Sequence, residues 1–223
     1  MPKQENQPTV VQTQEQYRYT IAYGSHKTSR RMHFSKTEIQ HLAGAALLVV
    51  GVGLSFVGIS RLFSSSTIVS AFTAIFTLSF FIHEIAHKAA AQRNGLWAEF
   101  RLIPLGALLT LLSAILPIKF ISPGAVMVAG YADKGRIGRI SIAGPITNMS
   151  LSTMFYAASF LPVGYAELFK LGAAFNAWIA LFNLIPFGVF DGFKVFQWNK
   201  IVWAAAFTAS LGLTVLHYQL FSF

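Results

Sequence analysis

Two histidines four residues apart, His83 and His87, with Glu84 directly after the first, form a constellation suited to metal-assisted chemistry. On a helix, residues four apart lie on one face about a turn apart, so both imidazoles can grip a single ion. Glu84 sits about 100° round from His83, close enough to reach a water beside that ion without joining its ligands. H-E-x-x-H on a helix is the pattern in which the glutamate serves as general base in metal-assisted hydrolysis. Its setting is apolar, because residues 70–82 contain no charged side chain.

A hydrolytic site needs a third ligand. The chain has no cysteine, so any transition-metal ligands must be nitrogen and oxygen. There are two aspartates. Asp133, beside Lys134, reads as a solvated turn residue. Asp191 follows an apolar run, within Phe190-Asp191-Gly192-Phe193. An ionisable group at membrane depth costs roughly 2.5–3.5 kcal/mol unless it is paired or metal-bound. Asp191 is therefore either an interfacial turn residue before Lys194 or the third ligand. Two histidines and one carboxylate leave a fourth tetrahedral position open. Asn148 and Asn183 are neutral polar side chains at comparable depth. Either could donate to an oxyanion or substrate, or simply join helices by a hydrogen bond worth about 0.6 kcal/mol.

The elements that must carry these residues are hydrophobic. The chain is 54% hydrophobic and 11% charged, against about 25% charged in a soluble domain, with a mean hydropathy of +0.55. The net charge of +9 would suit nucleic acid, but the basic residues fall in short clusters between apolar runs. That pattern fits cytoplasmic loops, so no nucleic-acid partner is expected. Apolar runs near residues 41–59, 67–91, 140–161, 166–186 and 200–221 predict five transmembrane helices, each near the ~20 residues a bilayer core requires. Ser35-x-x-Glu38 predicts a capping box at the start of the first.

The segment Leu102–Ile118 is apolar but short, and Pro104, Gly106 and Pro117 interrupt it. Both its flanks are basic, so both ends are expected on the cytoplasmic side, which makes it a re-entrant, β-like hairpin rather than a sixth span. Alternation over Tyr17–Tyr23 predicts a short strand. The expected fold class is thus an all-α polytopic membrane protein of about five helices plus a membrane-embedded hairpin. Residues 1–38 form a polar, basic, cytoplasmic segment, and residues 39–223 a transmembrane catalytic domain with its core at about 67–200. Residues 1–40 show no cleavable signal pattern. The expected location is the cell membrane, with the amino terminus and the site toward the cytoplasm.

Three motifs stand in order on apolar segments: His83-Glu84-x-x-His87, Gly144-Pro145-x-x-Asn148, and Asn183-x-x-Pro186-x-x-x-x-Asp191-Gly192. Together they resemble the site-2 proteases, intramembrane zinc metalloproteases that cut transmembrane substrates. The resemblance implies one Zn²⁺ held by His83, His87 and Asp191, with Glu84 as catalytic base. It further implies that Asn148 and Asn183 help hold the substrate backbone or oxyanion, and that the hairpin lies after the H-E-x-x-H helix. The partners implied are a transmembrane protein substrate and the lipid bilayer. Phe193 stands where many members carry a second glycine, and no PDZ-like insertion or regulatory domain is recognisable, as in minimal members. A different class, a divalent-metal-binding membrane protein or transporter, could use the same His, His and Asp. It would have no need of Glu84 and would spread polar groups along a pathway, whereas this chain concentrates them.

Overall fold

The computed structural model describes residues 32–57, 66–116 and 121–217. The expected strand at Tyr17–Tyr23 lies outside them. In chain order the elements are α1 (Lys36–Val57), α2 (Ser66–Arg93), β1 (Trp97–Leu102), α3 (Pro104–Ser113), β2 (Gly124–Ala129), α4 (Lys134–Ala158), α5 (Ala166–Asn183), α6 (Asp191–Trp198) and α7 (Lys200–His217). Helix α4 is central, packed on α2, α5 and α6; α7 leans on α5 and α6, and α1 covers α2 and β1.

Polar side chains share the interior with apolar ones, while large apolar side chains face outward. Thr110, Ser113, Asn148, Ser152, Asn176 and Ser210 are fully buried, while Leu47, Leu105, Ile115, Met154, Ile201 and Val215 are exposed. Lipid tails are as apolar as leucine, so helix association there rests on close packing and interhelical hydrogen bonds instead of apolar transfer. The core fits that rule. Phe76 stacks on Phe175 with ring centroids 3.9 Å apart, and Ala45, Ala173, Ala177 and Ala180 let the surrounding backbones approach.

Helices occupy all five expected positions. Among the described residues, three are long and apolar enough to cross a bilayer by themselves: Lys36–Ser55, Val69–Arg93 and Lys200–His217. Helices α4 and α5 are diluted by the polar residues that build the interior, Ser141, Asn148 and Ser152 on one and Asn176 on the other, and by Glu167 and Lys170 at the start of α5.

The hairpin expectation needs correction. Residues 104–113 are helical, and the antiparallel strands lie on either side of them, Trp97 pairing with Ala129 and Leu102 with Gly124. Leu and Ala are strong helix formers, and Pro104 occupies the first turn, where its missing N–H costs nothing. The period-two alternation that favours a strand lies earlier, with Ala98 and Phe100 buried between the less buried Trp97, Glu99 and Arg101. A ten-residue helix is about 15 Å long, half of a bilayer core, so α3 is too short to cross one by itself.

The capping box is half formed. Glu38 N–H donates to Ser35 Oγ at 3.1 Å, but the Glu38 carboxylate turns inward, where Oε1 accepts the Phe100 N–H and Oε2 pairs with Lys88. Asp133 is likewise more than a solvated turn residue, since its carboxylate accepts the Arg136 N–H at 2.7 Å and caps α4.

Candidate metal centre

Helix α2 carries Ser79, His83 and His87 at intervals of four, on the face turned toward α4. Helix α4 answers with Ile140, Gly144 and Asn148, also four apart, so the two ladders meet rung by rung. His87 Nδ1 donates to the Ile140 carbonyl at 2.8 Å, and His83 Nδ1 donates to Asn148 Oδ1. Gly144 lies between these rungs. A Cβ there would stand 2.6 Å from His83 Nε2 and closer still to His87 Nε2, so only hydrogen permits α4 to pass this near the imidazole edges.

The third donor comes from the far end of the chain. Helix α5 ends at Asn183, and the chain turns through Gly188, at φ 57°, into the short helix α6 that Asp191 opens. Gly192 lies directly under the Leu184 carbonyl, where a Cβ would collide. The Asp-Gly pair therefore lets α6 fold back against the end of α5 and bring the carboxylate to the histidines. Asp191 Oδ2 is 3.0 Å from His87 Nε2 and 3.4 Å from His83 Nε2, and the two Nε2 atoms are 3.0 Å apart.

His83, His87 and Asp191 are the cluster of possible metal donors found among the described residues. Tetrahedral ligands about 2.0–2.1 Å from zinc stand roughly 3.3 Å from one another, near the spacings here. The Ile140 carbonyl can only accept, so His87 must carry its proton on Nδ1 and present a lone pair from Nε2. Two imidazoles and one carboxylate, held from behind in this way, fit zinc.

Glu84 is buried and faces β2. Phe100 and Leu102 direct their N–H groups toward α1, at Glu38 Oε1 and His41 Nδ1. Their partners Val126 and Gly124 therefore form the non-hydrogen-bonded pairs of the ladder and turn their backbone groups to the outer edge. There the Val126 N–H is directed at the Glu84 carboxylate. A cleft beside this edge is lined by Glu84, His83, Ser122, Trp178, Phe182 and Asn183.

Of the residues read from the sequence, the structure brings together His83, Glu84, His87 and Asp191 and places Asn183 on the cleft. Asn148 is elsewhere. It is fully buried behind His83, and its amide nitrogen is committed to Asn176 Oδ1 at 2.9 Å. Its hydrogen bonds join α2, α4 and α5, the interhelical one of the two roles open to it from the sequence. The sequence reading missed Asn176 and Ser79. Ser79 shares the four-residue ladder of the histidines, and Asn176 is a lone amide inside an apolar helix; those were the available signals.

A carboxylate and two imidazoles converging beside a buried glutamate on a bilayer-length helix define a metallohydrolase of the H-E-x-x-H class. Comparison with known proteins gives the same class a narrower form. The chain is 33% identical over 147 residues to a Methanocaldococcus jannaschii protein named "Putative zinc metalloprotease MJ0611", a match covering 64% of this chain and 74% of that one. The chain belongs to this zinc metalloprotease family. No family model and no solved structure matches it.

Proposed function

We propose that this protein is an intramembrane zinc endopeptidase of the site-2 protease type. It hydrolyses peptide bonds in transmembrane segments of other membrane proteins, near the cytoplasmic face. The observation that carries the reading is the position of the donor cluster. His83 and His87 sit inside an apolar, bilayer-length helix, roughly 15 and 9 Å from its basic end at Arg93. Helices α4 and α5 complete a five-helix bundle around them, and residues 39–223 act as one catalytic domain behind a cytoplasmic amino-terminal segment.

His83 Nε2, His87 Nε2 and Asp191 Oδ2 would hold the zinc. Zinc supplies Lewis acidity, polarising a peptide carbonyl and acidifying a water. The Glu84 carboxylate takes the proton from the attacking water and returns it to the leaving amine, a role worth about 10²–10⁴-fold in rate. A helical substrate hides its scissile bonds within its own hydrogen bonding, so a short stretch must first unwind. The outer edge of β2 offers backbone groups at Gly124 and Val128 to such a stretch by strand addition, with the Val126 N–H between them directed at Glu84. This edge runs beside Glu84, so pairing would lay the extended segment next to the base. Asn183, which lines the cleft, would hold its backbone.

The test is zinc content and cleavage of a transmembrane reporter in vesicles, for wild type and Glu84→Gln. One zinc per chain in both, with cleavage lost at least 100-fold in the variant, is the expected result. Cleavage by Glu84→Gln at the wild-type rate would refute the assignment.

A further inference from the structure

We infer that Asn176 is a positioning residue which, through Asn148, fixes the proton of His83 on Nδ1 and so leaves Nε2 free for the metal. The inference rests on the metal reading above and deepens it.

A neutral imidazole offers a lone pair only from the nitrogen that lacks the proton, so His83 can ligate through Nε2 only with its proton on Nδ1. For His87 the backbone decides, since its Nδ1 faces the Ile140 carbonyl. For His83 the partner is a side-chain amide. An amide has an accepting edge and a donating edge, and nothing within Asn148 selects between them. Were its NH₂ turned to His83, the proton would move to Nε2 and close the face that must bind the ion.

The selection comes from the next helix. Asn176 Nδ2 lies 2.8 Å from the Gly172 carbonyl and 2.9 Å from Ser79 Oγ. A carbonyl carries no hydrogen, so the NH₂ of Asn176 must face it. Asn176 Oδ1 then faces Asn148 and accepts its Nδ2–H at 2.9 Å, which leaves Asn148 Oδ1 for His83. A backbone carbonyl of α5 thus sets the proton on an imidazole of α2 through two amides. Asn148 and Asn176 are 0% exposed, Ser79 1% and His83 4%, so water has no access with which to reverse the order.

Sequential amide orientation makes a prediction that packing alone does not. A carboxylate at position 148 accepts at both oxygens, so Asn148→Asp removes the ambiguity that Asn176 resolves. The experiment uses the full chain in detergent, with zinc affinity read by competition with a chromogenic chelator and site geometry read from the visible spectrum with Co²⁺. Asn176→Leu is expected to weaken zinc 10- to 100-fold, the usual effect of losing an outer-shell partner, and to change the cobalt spectrum. In the Asn148→Asp background the same substitution is expected to change affinity less than about threefold. Ring ¹⁵N shifts of metal-free wild type supply a readout independent of variant folding, with His83 protonated on Nδ1. Wild-type affinity in Asn176→Leu, an equal loss in both backgrounds, or a proton on Nε2 would each overturn the inference while leaving a zinc-binding wild type intact. A wild type that takes up no zinc would overturn the metal reading and this inference with it.

Discussion

Lys88 Nζ lies 2.5 Å from Glu38 Oε2, a buried ion pair that joins α1 to the helix carrying both histidines. Lys88 directly follows His87 in the chain. It also donates to the His33 carbonyl at 2.6 Å and stands over the Phe34 ring at 4.1 Å. The remaining oxygen of Glu38 holds the N–H of Phe100 in β1. One ion pair therefore ties the segment before α1, the metal-bearing helix and the sheet to one another.

Removing one member of such a pair strands a buried charge, at a cost of about 3–5 kcal/mol. Lys88→Met is accordingly expected to lower thermal stability in detergent by an amount of that order. Glu38→Gln in the same chain should recover most of the loss, because the amide is neutral yet still accepts from Phe100. A double variant less stable than Lys88→Met would show that the charge itself, and not its isolation, matters.

Gly144 gives a sharper test of the metal cradle. Alanine is favoured over glycine in a helix by up to about 1 kcal/mol, which offsets part of the roughly 1–3 kcal/mol of overpacking against the imidazoles, so Gly144→Ala should still fold, at a stability within about 2 kcal/mol of wild type. Its methyl group would nonetheless occupy the space beside both Nε2 atoms. The expected outcome is a stable protein with far less than one zinc per chain. Full zinc content at unchanged affinity would show that α4 can retreat and that the close approach is incidental.

The parts of this site that the sequence disclosed were those governed by local spacing. His83, Glu84 and His87 sit on one helix, and the Asp191-Gly192 pair marks a tight reversal after an apolar run. Asn148 was visible as a polar residue at depth, but its direction was not, because the neighbour that claims it, Asn176, lies 28 residues on and bears no periodic relation to it. Glu38 shows the same limit. Its position satisfies a capping box, yet a buried lysine 50 residues away outcompetes the local backbone for its carboxylate. The hairpin was misplaced for a different reason. Pro104 and Gly106 look like breakers in a string, whereas here proline opens a helix and glycine admits the Ser122 carbonyl.

The strand edge can be tested by proline, which removes one N–H. In β2 the N–H groups alternate, those of Ala125 and Met127 facing β1 and those of Val126 and Val128 facing outward. Val128→Pro should leave the β1 pairing and the zinc content intact and reduce cleavage of a transmembrane reporter about tenfold. Met127→Pro should break the ladder and destabilise the protein. Equal effects of the two on cleavage at unchanged stability would argue against substrate pairing at this edge.

Asn148 is a buried amide and Asn183 a half-buried one, and the geometry predicts that they fail differently. Asn148 has its oxygen on His83 and its nitrogen on Asn176, so Asn148→Leu should weaken zinc about 10- to 100-fold and lose cleavage as a consequence. Asn183 makes no side-chain hydrogen bond to the three metal donors. Its Nδ2 donates to the Ile179 carbonyl at 3.0 Å, and its side chain borders the cleft. Asn183→Ala should therefore keep zinc at the wild-type affinity and lower kcat/KM for a transmembrane reporter by about 100-fold, the lower end of the range seen when a single donor to a reacting centre is removed. Zinc affinity separates the two cases before any substrate is added. If Asn183→Ala also lost the metal, the residue would belong to the support of the site, and the cleft beside Glu84 would need another means of holding a peptide.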